Sequence, residues 1–520
     1  MLDLIIEKGT VIDGSGAPRQ RQDVGVLGDR IAAVGDLAAE AAGRRLDATG
    51  RVVSPGFVDV HNHTDAWLLK LANYAPKTAQ GITTEVIMAD GISYAPVDET
   101  TVAEWIYYMR SLNGLLFEEY DGWRSLAEYM ARLDGASAQN AIAHLPYGNV
   151  RALLGGFGAA PLDDFQMRLV VEAVKEGMEA GAVGLSTGLD YIGQCFSTTD
   201  ELVEVAAAMA PYRGLFVTHV RYKKGTLAGV KEAVEIGRRA GAPVHISHLK
   251  ATTPPDIEAL LQYIDRVARQ EVDFTFDVYP YLPGSTMLTY LLPFNVWADG
   301  PLAVLGKLKD PAVRRNFARE LATSRLANIH IAWLPGRENA RHLGQTLAEY
   351  VEEVGGEPAD ALCNLLIEES LAVLLVFHHG DDALVRPFLS HDCFMMGSDG
   401  IYFPDSVVHP RLYGSVPRIL GPCVRDHHLF SLEEAVRKLS GFPSERFGLA
   451  ERGKVREGYF ADLVVFDPET VVDRATYQNP HQYPVGIEHV YVNGVAVVAD
   501  GVAIQDLQRP RPGRALRYRG

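Results

Sequence analysis

The chain has 520 residues, of which 47% are hydrophobic and 22% charged, the proportions of a globular protein with a sizeable core. Its 49 lysines and arginines stand against 66 acidic residues, a formal net charge of −17, which argues against nucleic acid or an anionic membrane surface as the main partner. No run approaches the roughly 18 apolar residues of a membrane span, and the four cysteines (Cys195, Cys363, Cys393, Cys423) form no CxxC pair, which speaks against a disulfide framework. The N-terminal MLDLIIEKGTVIDGSG puts Asp3 and Glu7 where a secretory apolar core would lie. A reducing cytoplasm is the expected compartment.

Residues 1–55 read as short strands broken at Gly, Asp and Pro: LIIEKGTVID, DVGVLGDRIAAVG and RVVSPG. The middle of the chain then has a regular beat. Apolar strand-like runs end at His61, Asp90, His144, Leu185, His219, His248, Asp277 and Asp399, with amphipathic helical stretches between most of them, such as LAGVKEAVEIGRRAG closed by Gly241. The separations 61 to 90, 219 to 248 and 248 to 277 are each 29 residues, about one strand plus one helix. Eight such runs predict an α/β fold, a (β/α)8 barrel over 56–449. The stretch 283–345 breaks the beat and is expected as an inserted, lid-like subdomain, since PYLPGSTMLTYLLPFNVW is apolar and loop-rich. AVLLVFHHG at 372–380 is a further strand candidate, so the strand count is open by one. Strand texture returns at 453–503, with Asn493-Gly494 as a hairpin signal. The two ends, 1–55 and 450–505, are therefore expected to build one small composite β-sandwich domain. The Arg- and Pro-rich segment 506–520 reads as an exposed tail.

In such barrels the chemistry sits at the C-terminal ends of the strands. His61, His63, Asp90, His219, His248 and Asp399 end these runs, and imidazole with carboxylate is a ligand set for zinc or a similar divalent ion. His61-Asn62-His63 is the sharpest local signal: two residues apart on a strand, both side chains point the same way. Alone, an HxH is as compatible with two hydrogen-bonding histidines; after PGFVDV, at the end of a buried strand, ligand is the better reading. His219 and His248 are each ambiguous alone and gain weight from their one-unit spacing. Asp399, in GSDG, reads as a turn residue or as ligand and proton shuttle.

The HxH after PGFVDV, the strand-end His219 and His248 and the SDG aspartate resemble the metal-dependent amidohydrolase superfamily. GAVGLSTGLDY (181–191), THVR (218–221), VHISHLKA (244–251), DVYPYLPGST (277–286), HPRLYG (409–414) and SLEEAVRKLSGFPSERFGL (431–449) resemble its D-aminoacylase (N-acyl-D-amino-acid deacylase) branch. The resemblance covers nearly the whole chain. It implies a hydrolase acting on the amide of an N-acyl-D-amino acid, a small anionic substrate, with one or two divalent ions, zinc foremost and manganese or cobalt next. A hydroxide held on the metal would attack the carbonyl, with Asp399 as general acid/base. Residue by residue, Tyr191 would hydrogen-bond the oxyanion, and Lys250, Tyr281 and Arg411 would hold the substrate carboxylate, with Ser285 as a weaker contact. Each has a structural alternative: an ion pair for Lys250, a bonded core hydroxyl for the tyrosines, a loop tie for Arg411.

One departure stands out. The deacylase branch carries a cysteine as shared metal ligand before GIS, and here TTEVIMADGISYAP has Asp90 in its place. Asp90 is expected as a ligand that bridges two ions through its two oxygens; being harder than thiolate, it would admit manganese or cobalt beside zinc. Alternatively one ion binds and Asp90 orients water or substrate. Glu85 lies earlier in the same strand and is the weaker substitute, and His144 reads as a core histidine. Three other readings compete. A hydantoinase or dihydroorotase type acts on cyclic amides and resembles enzymes with a bridging lysine on the fourth strand, which AVGLSTG lacks. An amidine deaminase would want a Glu soon after His219, and residues 220–230 have none. A non-catalytic scaffold would have shed ligands that are all present here. A homo-oligomer is left open, without a supporting motif.

Overall fold

Nine strand segments of the middle region, eight runs in all, lie parallel to their neighbours. Asn140–Ala143, Ile82–Ile87 and Phe57–Asp59 form one sheet, and Leu145–Pro146, Gly184–Gly188, Leu215–His219, Val244–Ile246, Phe274–Val278 and Phe394–Met396 form another, in those orders. Asn140–Ala143 and Leu145–Pro146 are one run divided at His144. The outer edges of the two sheets also meet: Val60 N donates to Met396 O at 3.3 Å and Asp399 N to His61 O at 2.7 Å. Ile82–Ile87 and Leu215–His219 are buried at every position, which is why they read as continuous apolar runs rather than as alternating ones. The computed structural model that defines this architecture describes residues 1–520.

The helices between the strands start and stop where local chemistry dictates. Asp163, Thr198 and Thr253 cap Asp164–Glu179, Thr199–Met209 and Pro254–Tyr263 by accepting backbone N–H bonds. Thr226–Ala240 ends at Gly241, whose φ of 68° is the left-handed conformation that glycine adopts without cost. No helix is long and apolar enough to cross a membrane.

The break in the beat is longer than 283–345. Gly284–Met287 and Ile329–Trp333 both pair antiparallel with Leu374–Phe377, so AVLLVFHHG belongs to this separate three-stranded sheet and not to the parallel set. An apolar run of four to eight residues carries no mark of which sheet it joins, and the sequence therefore left this strand unassigned. Phe276, Leu288 and Leu375 share one apolar core of 119 buried residues, which makes this sheet continuous with the parallel strands beneath it.

Strands from both termini share one of the remaining sheets. Val52–Pro55 pairs with Leu463–Phe466, and a second sheet joins Leu2–Glu7 to Asp23–Leu27 and Ala42–Asp47. The two sheets bury Ile6, Val24, Val26, Val53, Leu463 and Val465 together. The segment 506–520 is not an exposed tail. Ala515 bridges Ala141, Leu516 N donates to Ala141 O at 2.7 Å and Tyr518 N to Gly181 O at 3.0 Å. Its arginines concealed two apolar anchors, Leu516 and Tyr518, which pack on Val58, Val183 and Phe447.

Candidate metal centre and active site

The C-terminal ends of the parallel strands bring six buried side chains together. His61 and His63 follow Phe57–Asp59, Asp90 sits in the turn after Ile82–Ile87, His219 closes its strand, and His248 and Asp399 lie just past theirs. Asp90 is central. Its Oδ1 is 3.6 Å from Nε2 of both His61 and His248, and its Oδ2 is 3.8 Å from His63 Nε2 and 4.0 Å from His219 Nδ1. Asp399 Oδ1 lies 3.1 Å from His63 Nε2 and 3.8 Å from His61 Nε2. His219 Nδ1 and His248 Nε2 are 3.0 Å apart. His61, His63 and Asp399 form one group whose donor atoms lie within 4.8 Å of one another; His61, Asp90 and His248 form a second.

These residues fit a divalent ion on their own chemistry. His61 Nε2 and both Asp90 oxygens are buried without any hydrogen-bond partner, a costly state for polar atoms that face one another. Imidazole nitrogen with carboxylate oxygen is a donor set for zinc and its neighbours. The charges suit a bound cation. Burial opposes protonation of His61, but Asp90, Asp277 and Asp399 outweigh it and push its pKa up to about 10. Burial likewise opposes ionisation of Asp90, yet His61 and His248 hold it well below the usual carboxylate range. Burial pushes His248 down to about 4, leaving it a neutral imidazole near pH 7.

The backbone is bent to present these groups. Asp90, His248 and Asp399 have φ of 57°, 36° and 49°, the left-handed region that non-glycine residues seldom occupy and that collects at functional sites. Gly397 in GSDG is required by close approach, since a Cβ there would meet Asp277 Oδ1 at 2.4 Å and the His61 Cβ at 2.6 Å.

Beside the histidines lies a cavity of about 560 Å³ lined by Tyr191, Lys250, Ser285 and Asp399 among others. Lys250 Nζ donates to Tyr279 Oη at 3.0 Å. Tyr191 Oη is 3.2 Å from Thr286 Oγ1, and Ser285 donates its hydroxyl to Leu375 O at 2.7 Å. Arg411 is fully buried behind the cavity wall. Its Nη1 is 2.7 Å from Asp399 Oδ2, an ion-pair approach without hydrogen-bond alignment, and its Nη2 donates to Ser285 O at 3.2 Å. Burial raises the cost of charge on Asp399, but Arg411 overrides it and holds the carboxyl well below its ordinary value. Tyr281 is not brought into this group: its hydroxyl donates to Asp473 Oδ2 at 2.9 Å and its ring lies 4.2 Å from the Arg418 guanidinium. The tyrosine beside Lys250 is Tyr279.

Several residues around the site escaped the sequence reading. Asp277 accepts from the backbone N of His248 at 2.9 Å, bonds His245 Nε2 at 3.0 Å and lies 3.7 Å from His61 Nδ1, so it orients two of the histidines; its strand-end position was the available signal. Asp190 stands 3.5 Å from His219 Nε2 and accepts from Tyr290 Oη at 3.2 Å. Lys77, fully buried, is clasped between Asp59 and Ser398, and nothing in its local sequence marks it. His144 is buried with both ring nitrogens unpartnered, and burial pushes it down to about 3. It contributes to neither donor group.

Comparison with known proteins agrees with this geometry. A model of the amidohydrolase family matches residues 44–285 and 347–498, and the gap between the two stretches falls in the antiparallel insertion. The chain is 36% identical to a D-aminoacylase of Alcaligenes xylosoxydans xylosoxydans over 501 residues, 95% of this chain and 94% of that protein. It is 37% identical to an N-acyl-D-glutamate deacylase of the same organism over 523 aligned positions, 99% and 96% of the two. A crystal structure of N-acyl-D-glutamate deacylase from Bordetella bronchiseptica, complexed with zinc and a phosphonate inhibitor, superposes with a TM-score of 0.84 at 33% identity and covers 99% of each chain. The protein thus belongs to the amidohydrolase family.

Proposed function

We propose that the protein is a metal-dependent N-acyl-D-amino-acid deacylase, which cleaves the amide C–N bond of a small N-acylated D-amino acid. The observation that carries this reading is the juxtaposition of the His/Asp cluster with a cavity whose wall holds Lys250. His61, His63, Asp90, His219, His248 and Asp399 would hold one or two divalent ions, zinc foremost. A bound ion polarises the scissile carbonyl and eases deprotonation of water.

The chain's own groups do the rest. Lys250, oriented by Tyr279, offers a point charge to the substrate carboxylate. Arg411 keeps Asp399 ionised and aimed, so that a free Asp399 oxygen takes a proton from the attacking water and returns it to the departing amine. This assigns Arg411 to Asp399 rather than to the substrate. Tyr191 donates its hydroxyl toward the oxyanion as the carbonyl becomes tetrahedral. Ser285 shapes the wall, its proton committed to Leu375. The cyclic-amide reading has less support: Gly184–Gly188 holds no lysine to bridge two ions, and at Gly188 a Cβ would meet Asp90 O at 2.3 Å.

The meeting of the first and last parallel strands supports an eight-stranded (β/α) barrel over 56–449, interrupted by the antiparallel unit, with a composite sandwich from 1–55 and 450–505. All four cysteines are free and buried, in keeping with a reducing cytoplasm. The test is hydrolysis of a panel of N-acetyl-D- and N-acetyl-L-amino acids by zinc-supplemented protein. Turnover of D-substrates, abolished by chelation and restored by zinc, supports the reading; metal binding without turnover of any member overturns it.

A further inference from the structure

The His219 ring is approached from both of its nitrogen edges. On the inner edge, Nδ1 stands 3.0 Å from His248 Nε2 and 4.0 Å from Asp90 Oδ2. On the outer edge, Nε2 is buried without a hydrogen-bond partner, and the acid within ion-pair reach of it is Asp190, whose Oδ2 is 3.5 Å away. The rings of Tyr191 and Tyr222 pack against the imidazole, each with its centroid at 4.8 Å. Strand register explains the meeting. Gly188 lies opposite His219 in the parallel pairing, and Leu189 N donates to His219 O at 2.9 Å. The turn that leaves Gly184–Gly188 therefore runs beside His219, and Asp190, two residues on, reaches the outer edge of the ring.

Asp190 is 5% exposed. Its Oδ2 accepts from Lys223 N at 3.1 Å and from Tyr290 Oη at 3.2 Å. Both donors are neutral, and an amide oxygen would serve them as well as a carboxylate. The Lys223 ammonium is turned away, donating to Tyr290 O at 2.7 Å. His219 is the one ion-pair partner of Asp190. A charge so deeply buried is costly unless it is paired, so tying the turn in place does not account for an acid at this position.

From this arrangement we infer that Asp190 is a positioning residue that commits His219 to a metal ion through Nδ1, an inference that rests on the metal-dependent reading above. An imidazole that offers the Nδ1 lone pair carries its proton on Nε2, and it loses electron density to the ion. A carboxylate that accepts from Nε2–H fixes this tautomer and strengthens Nδ1 as a donor. Asp277 stands in the same relation to His61, 3.7 Å from its Nδ1, whereas His248 Nδ1 has no partner. Asp190 touches neither substrate nor metal and acts through His219.

The test is zinc affinity of the full chain, measured by competition with a chromophoric chelator, together with the visible spectrum of the cobalt-substituted protein. Asp190→Asn keeps an oxygen for Lys223 N and Tyr290 and loses the charge; it should weaken zinc binding by about ten-fold, and Asp190→Ala by up to about 100-fold. Both should shift the cobalt bands, which report the donor strength of the ligands. Tyr290→Phe removes the other side-chain partner of Asp190 and should keep zinc affinity within about three-fold and the bands in place, which separates an effect on His219 from loosening of the turn. Zinc affinity of Asp190→Asn within three-fold of wild type overturns the inference, as does equal weakening in Tyr290→Phe and Asp190→Asn. Either result leaves the deacylase reading standing as long as zinc-loaded wild type hydrolyses D-substrates; a wild-type chain that binds no zinc overturns both.

Discussion

The carboxylate of Asp90 stands with Oδ1 3.6 Å from His248 Nε2, neither accepting a hydrogen bond from it nor bonded to anything else. A carboxylate at that range from the Nε2 atoms of two histidines, His248 and His61, leaves room for an ion between them and not for a hydrogen bond. Asp90→Ala should therefore bind less metal, by at least one equivalent or with at least about ten-fold weaker affinity. Asp90→Cys should retain metal and shift preference toward zinc over manganese, because thiolate is the softer donor. Metal content by elemental analysis checks both, and unchanged stoichiometry in Asp90→Ala would count against Asp90 as a ligand.

Beneath the cluster, Lys77 joins the first parallel strand to the last. Asp59 accepts from the backbone N of His61 at 3.3 Å and of Ser398 at 2.8 Å, while Lys77 holds its other oxygen. Removing the lysine leaves a buried carboxylate unpaired, so Lys77→Met should cost about 3–5 kcal/mol in urea unfolding. It should also loosen metal binding, because His61 and Asp399 flank the clasp.

Glu85 gives the pH dependence of stability a definite sign. Burial is the main cause and Lys77 the main opposing one, and the carboxyl is raised from 4.5 to about 7. The folded protein therefore keeps this proton at pH values where the unfolded chain releases it. The associated stability is complete below about pH 4.5 and is lost as the pH rises through about 7, to a total of up to about 3 kcal/mol. Denaturant unfolding of Glu85→Gln at pH 5 and pH 8 should show this slope flattened; an identical slope in wild type and variant would refute the assignment.

Two substitutions separate binding from chemistry. Tyr191→Phe should lower kcat by roughly 100- to 1000-fold with little change in KM, as expected for a donor used in the transition state. Lys250→Met should raise KM for the carboxylate substrate and leave kcat less affected. Steady-state kinetics on one N-acetyl-D-amino acid decides both, and a KM effect in Tyr191→Phe would place that hydroxyl on the ground-state substrate instead.

The site was legible where a single strand end states its own geometry. His61 and His63 are two residues apart on an extended chain, and His219 and His248 recur at one strand-plus-helix interval, so their convergence followed from periodicity. Asp277 shares that interval and was passed over because its partners, His245 and the His248 backbone, are visible only across strands. Tyr281 was grouped with Lys250 on the family resemblance, which carries no distances; Tyr279 is the neighbour. Arg411 was given to the substrate because a guanidinium beside a metal site suits a carboxylate, and the carboxylate it meets is Asp399. Lys77 was beyond reach, since a lysine in a short helix gives no sign that it is buried against Asp59. The antiparallel strand Leu374–Phe377 carries the same apolar run as a parallel one, and partner identity is a tertiary property.

The most direct measurement is hydrolysis of N-acetyl-D-leucine by protein stripped of metal and titrated with zinc. The reading predicts no turnover in the stripped protein, activity that rises with one or two equivalents of zinc, and no comparable rate with N-acetyl-L-leucine. Full activity without metal, or metal uptake with no hydrolysis of any N-acyl-D-amino acid, would contradict it.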